Sequence, residues 1–195
     1  MKKIYLAICL LAGMATYSQE ETKTTAEKST TEKATTVSVF YSGPELSQIG
    51  VSVEFGEIQN NTNKKYFSAN VANLAYGTMD YETSGFDFTG KGFVAEIGSK
   101  TYYCKENKGI YTSNFLSYGN IRFDETLSIG KFKGTYSYFS FFSPEVGYKL
   151  KTGNLSIDPF AGIMWKLEIK GRGDIDNKNV EEWTPRVGVR IGYQF

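Results

Sequence analysis

The sequence predicts an all-β chain, a single antiparallel barrel of eight strands joined up and down. Three observations carry this. Apolar and polar residues alternate with period two in one short segment after another, the pattern of strands with two different faces. The composition favours strands, with 14 Tyr, 14 Phe, 20 Gly and only 4 Pro. Clusters of Gly, Asn, Asp and Lys separate the segments, as turns between consecutive antiparallel strands require.

At 195 residues the chain has room for one domain with extensions. Residues 1–18 read as a signal peptide: Lys2 and Lys3, an apolar run from Ile4 to Ala15, and Ser18 as the expected cleavage point. The run is shorter than the roughly 20 residues a membrane-spanning helix needs. Residues 19–36 hold no aromatic and no large aliphatic residue. Such a stretch buries too little surface to offset its ordering entropy, so a disordered polar linker is expected there. The barrel is expected over residues 37–195.

Taken in order, Val37 to Gly43 is a short first strand, and Ser47 to Ile58 a second, with Ile49, Val51, Val53 and Phe55 opposite Gly50, Ser52, Glu54 and Gly56. Lys65 to Met79 is the third. Its apolar phase moves from Phe67, Ala69 and Val71 to Leu74 and Tyr76, so a bulge is expected near Asn73. Gly92 to Tyr103 and Ile110 to Asp124 are the fourth and fifth; Tyr136 to Lys151, interrupted by Pro144, is the sixth. Asn154 to Lys170 is the seventh, with Ile157, Ala161, Ile163 and Trp165 opposite Asp158, Gly162, Lys166 and Glu168. Thr184 to Phe195 is the eighth and most regular: Val187, Val189, Ile191, Tyr193 and Phe195 face away from Arg186, Gly188, Arg190, Gly192 and Gln194. Connections after the even strands are short, while 80–91, 125–135 and 171–183 read as longer loops, an asymmetry expected of barrels that cross a membrane.

Period two does not say which face is inside, since a soluble barrel binding an apolar small ligand shows the same alternation. The polar faces decide the expectation. They interleave Gly50, Gly56, Gly98, Gly147, Gly162, Gly188 and Gly192 with full charges. Solvent has no need of glycine in a strand, whereas the narrow interior of an eight-stranded barrel does. The apolar face is therefore expected against lipid, making the barrel transmembrane, with the soluble lipocalin-like barrel as the alternative. The charges so directed inward are Glu54, Glu96, Glu145, Lys149, Lys166, Glu168, Arg186 and Arg190. They read either as a solute path or as a paired network; pairing is favoured, because buried charges persist when paired.

Composition also narrows function. The formal net charge is +1, which gives no field for nucleic acid. The chain has no histidine, the commonest general base and metal ligand, so neither an enzyme nor a bound metal or cofactor is expected. Of its two cysteines, Cys9 lies in the leader and Cys104 in a short turn, leaving no internal disulfide after export. Asp174, Asp176, Asn177, Glu181 and Glu182 offer oxygen ligands for calcium, but Lys178 and Pro185 occupy positions where an EF-hand loop needs ligands. A polar loop is the simpler reading.

With the leader, the Gly-and-charge strands and the terminal Gly192-Tyr193-Gln194-Phe195 in view, the chain resembles small outer-membrane β-barrel proteins of Gram-negative bacteria. The leader ending Tyr17-Ser18-Gln19 and the Lys-, Asn- and Tyr-rich style are similar to Bacteroidetes versions. The resemblance implies residence in the cell outer membrane as a monomer in contact with its lipid, and handling by the barrel-assembly machinery. It further implies that Tyr193 and Phe195, supported by Val189 and Ile191, form the signal that machinery reads. The role it implies is structural, surface-interacting or a minor passage for solutes.

Overall fold

The computed structural model describes residues 31–59, 66–83, 86–104, 106–127, 130–175 and 180–195. The expected signal peptide and residues 19–30 of the expected linker lie outside these. Among these described residues there are nine antiparallel strands: β1 Thr31–Gly43, β2 Leu46–Gln59, β3 Phe67–Thr83, β4 Phe86–Tyr102, β5 Gly109–Leu127, β6 Gly130–Phe142, β7 Pro144–Thr152, β8 Leu155–Gly173 and β9 Trp183–Gln194. Each pairs with its neighbours, and β1 pairs with β9 from Thr36↔Gln194 to Gly43↔Val187, which closes the sheet into a ring.

The ring has eight positions, because β6 and β7 share one. Both lie between β5 and β8. Phe115 and Leu116 of β5 face three residues, 141–143, across the break, so the interruption expected at Pro144 is a one-residue bulge. Pro144 has no N–H for the ladder. The loose groups around it are satisfied locally: the Ser143 N–H donates to Asn114 Oδ1 at 2.9 Å, and the Phe115 N–H donates to the Ser143 carbonyl at 3.2 Å.

Three expectations about elements are corrected. The first strand starts at Thr31, not Val37, and residues 31–36 pair with β2 from Gln59 to Glu54. Ala34 and Thr36 point inward and are buried; small residues suit the narrow interior, and they look like linker when read alone. There is no bulge at Asn73, which keeps register with both Ser52 and Glu96. The shift of apolar phase marks a change in what the interior holds: β3 directs Phe67, Ala69, Val71, Asn73, Ala75 and Met79 inward throughout. The long loops at 80–91 and 125–135 are mostly strand, since β3 and β4 pair to Thr83↔Phe86 and β5 and β6 to Leu127↔Gly130.

What extends those hairpins is aromatic packing inside the ring. Phe88 stacks on Phe132 with ring centroids 3.9 Å apart, and Tyr81 lies 5.8 Å from Phe132 and 5.9 Å from Phe123. Together with Leu46, Met79, Ile121, Tyr136, Tyr138, Met164 and Ile175 they form one buried cluster. Pairs of this geometry add about 0.5–1.5 kcal/mol beyond area burial, enough to favour strand over loop.

The outer wall carries two zones. Around the middle of the ring, Val39, Ile49, Leu74, Ile97, Val146, Leu155, Ile157, Val187 and Ile191 are all at least half exposed. Towards the hairpin end the outward residues change abruptly to Asp80 and Glu82, Asp87 and Lys91, Arg122 and Asp124, and Lys131 and Lys133. Lys91 and Arg122 are register partners, so the boundary falls at the same level on adjacent strands.

Candidate functional site: a buried charge network

Alternation along the strands sends charged side chains to one level inside the ring. Glu54 comes from β2, Glu96 and Lys100 from β4, Glu145 and Lys149 from β7, Asp158 from β8, and Arg186 and Arg190 from β9. None of these eight side chains is more than 5% exposed. Four are acids and four are bases, so the group is neutral as a whole.

The pairs form a chain from wall to wall. Lys149 donates to Glu54 at 3.0 Å, and Lys100 lies 3.2 Å from the other Glu54 oxygen while also pairing with Asp158. Arg190 contacts Glu145 at 2.8 Å, and Arg186 bridges Glu145 at 3.3 Å and Glu96 at 3.0 Å. Neutral donors add to three of the carboxylates: Tyr102 donates to Glu54 at 2.9 Å, Tyr111 donates to Asp158, and Asn73 and Ser117 each donate to Glu96 at 2.9 Å. Lys149 also reaches Asn107 at 3.0 Å and Thr36 at 3.2 Å, and Arg186 reaches Ser143 at 2.9 Å. Buried ions meet their desolvation cost only with such geometry and added hydrogen bonds.

Aromatic rings pack among the charges. The Arg190 guanidinium lies 3.8 Å above the Phe160 ring, and the Lys100 ammonium lies 4.4 Å from the Tyr111 ring centroid. Two glycines make this possible. A Cβ at Gly188 would overlap the Phe160 ring, and one at Gly147 would overlap the Tyr111 phenol. Large side chains of one strand thus occupy the space that glycine leaves on the next.

Of the charges directed inward by sequence, the structure joins Glu54, Glu96, Glu145, Lys149, Arg186 and Arg190 in this network. It does not join Lys166 or Glu168. Lys166 is buried but nearer the hairpin end, and Glu168 is half-buried at the β6–β8 irregularity, where it faces Tyr138. Sequence reasoning omitted Lys100 and Asp158 from the network, and the tyrosines Tyr102 and Tyr111. A signal existed for each: Lys100 and Tyr102 continue the alternation of Val94, Glu96 and Gly98, and Asp158 lies on the polar face of its strand.

At the last strand, Ile191, Tyr193 and Phe195 are exposed on the outer wall and Val189 is half-buried. The Tyr193 and Phe195 rings meet edge-on at 5.0 Å, and the Phe195 N–H donates to the Thr35 carbonyl at 2.9 Å. Cys104 sits in the β4–β5 turn, its thiol donating to the carbonyls of Glu106 and Lys108 at 3.1 and 2.8 Å. In the same turn a hydrogen bond from the Lys108 ammonium at 2.7 Å holds the Glu106 carboxyl below its usual pKa. Of the oxygen ligands considered for calcium, Asp176 and Asn177 lie outside the described residues; Asp174 accepts the Lys133 N–H at 2.9 Å, and Glu182 accepts the Trp165 indole N–H at 3.0 Å.

No family model matches the chain, and no curated protein matches it. Among solved structures, the crystal structure of a major outer membrane protein from Thermus thermophilus is similar at 14% sequence identity and a TM-score of 0.48, covering 83% of this chain and 99% of that one.

Proposed function

We propose that the chain is an integral outer-membrane β-barrel protein, exported by a cleaved signal peptide. Its role is in envelope structure or surface interaction rather than catalysis. One observation carries the reading: the ring is inside out relative to a soluble protein. Around its middle, charges are buried and large aliphatic residues face outward. Exposed apolar surface of this extent on a monomer marks contact with lipid or a partner, and lipid accounts for a band that runs around the ring and stops at one level. Aromatics flank that band, with Tyr41, Tyr76, Phe93 and Trp183 towards the hairpin end and Tyr66, Tyr103, Tyr148 and Tyr193 towards the other. Amphipathic rings of this kind suit the two membrane interfaces.

The soluble alternative needs an apolar interior open to a ligand. Ion pairs and buried aromatics fill the middle of this one, which counts against it. The same filling leaves at most a minor passage for solutes, so the lumen charges act as internal staples between walls. Assembly-machinery recognition of Val189, Ile191, Tyr193 and Phe195 belongs to this proposal, as do a monomeric state and the Bacteroidetes-type leader. Nothing in the composition favours nucleic acid as a partner. Envelope fractionation of the native host tests the proposal: the protein should remain with outer membranes through carbonate washing and change gel mobility on boiling. Recovery in the wash, with no mobility change, would overturn it.

A further inference from the structure

The neutral network leaves one inward cation out. Lys166, on β8, is 3% exposed, yet among the described residues no ion pair within 4 Å and no side-chain hydrogen bond engages its ammonium. Its stem is buried while its ammonium still reaches open space, so what that space holds decides what pairs with it. Lys166 lines a cavity of about 610 Å³ at the hairpin end of the ring, within the roughly 300–1,000 Å³ of small-molecule sites. Glu45 and Glu181 line it too, and Asp80, Glu82 and Asp87, which point outward from β3 and β4, border its outer lip; all five are exposed. Glu45 and Glu181 act on the Lys166 ammonium across the cavity.

From this juxtaposition we propose that the cavity binds a small zwitterion, a short basic peptide whose carboxylate pairs with Lys166 and whose ammonium groups meet the acidic rim. Each half of the arrangement excludes a simpler ligand. Five rim carboxylates against one ammonium repel a plain anion before it reaches Lys166. A plain polycation would satisfy the rim but draw Glu45 and Glu181 away from Lys166 and set like charge against its ammonium. The carboxylates also do not converge as metal ligands: among the described residues no group of three or more acidic, Cys or His side chains is placed to hold an ion. A carboxylate on Lys166 would be a charge-assisted hydrogen bond in a partly desolvated place, where such bonds are strongest.

Calorimetric titration of the full chain, folded in detergent micelles, with trilysine, trilysine amide and inorganic phosphate tests this. Trilysine should bind at least tenfold more tightly than its amide, and phosphate more weakly than either. Lys166→Met should erase the difference between the two peptides while leaving amide binding in place, and Glu181→Gln should weaken both peptides alike. Equal affinity for peptide and amide, tighter binding of phosphate, or no binding of trilysine would each overturn the proposal. If Lys166→Met does not fold, the comparison of peptide with amide on the unaltered chain decides alone. The outcome does not depend on the membrane reading, which fractionation tests separately.

Discussion

The interior of this ring is packed in two ways, and the contrast between them explains what each part of the sequence does. In the middle, eight charges from β2, β4, β7, β8 and β9 pair across the ring, with ion pairs up to 95 residues apart in sequence. At the hairpin end, Tyr81, Phe88, Phe123 and Phe132 pack between neighbouring hairpins. A charge network holds only when complete, because each missing partner strands a buried ion. An aromatic cluster loses stability group by group. Wall-to-wall cohesion therefore resides in the charges, and the reach of the hairpins beyond the apolar band in the rings.

Arg190→Ala should have the largest effect. It takes the closer of two cations from Glu145, leaving Arg186 at 3.3 Å, removes the donor to Tyr111 at 3.2 Å and uncovers the Phe160 ring; a loss of about 3–5 kcal/mol is expected, read as a lower urea midpoint of the gel-mobility transition. A midpoint unchanged from the parent would mean that the charges do not hold the walls together. Phe132→Ala should cost about 3 kcal/mol but open the hairpin end alone. Amide hydrogen exchange should quicken in β5 and β6 beyond Ile121 and Tyr136 while the protection of β9 stays, and equal loss in β9 would erase the distinction between the regions.

Gly147→Ala, which forces the Tyr111 phenol aside, should cost about 1–3 kcal/mol in the same urea assay. A neutral result would show that the tyrosine has slack and that the middle is less tightly packed than the hairpin end. The smallest effect should come from Asp124→Asn. Its pair with Lys133 spans 3.6 Å between side chains 60% and 68% exposed, and such pairs contribute about 0–1 kcal/mol. A midpoint shift as large as that of Arg190→Ala would mean that the outer surface of the hairpins, not the interior, sets stability.

Much of the middle was legible in the sequence and little of the hairpin end. Strict alternation in β9 placed Arg186 and Arg190 on one face with Gly188 and Gly192, because a pleated strand leaves a residue no third direction. At 80–91 the alternation of Tyr81 and Phe88 is diluted by Gly, Thr and Asp, which read as loop until Phe132 arrives from another hairpin to pack on them. The start of β1 was hidden for the same reason: Ala34 and Thr36 resemble linker until β2 supplies the partner and the narrow interior supplies the reason for small side chains.

The sequence by itself determined the period of every regular strand, the opposition of an aliphatic face to a face of glycine and charge, and the near-balance of signs on that second face. These are local properties, set by the two-residue repeat of the backbone. Only the tertiary structure decided that the ring closes between β1 and β9, that Glu54 meets Lys100 and Lys149, that Asp158 joins them, and that Lys166 is left facing a cavity. Those outcomes depend on register and on distances across the ring, which no window along the chain contains.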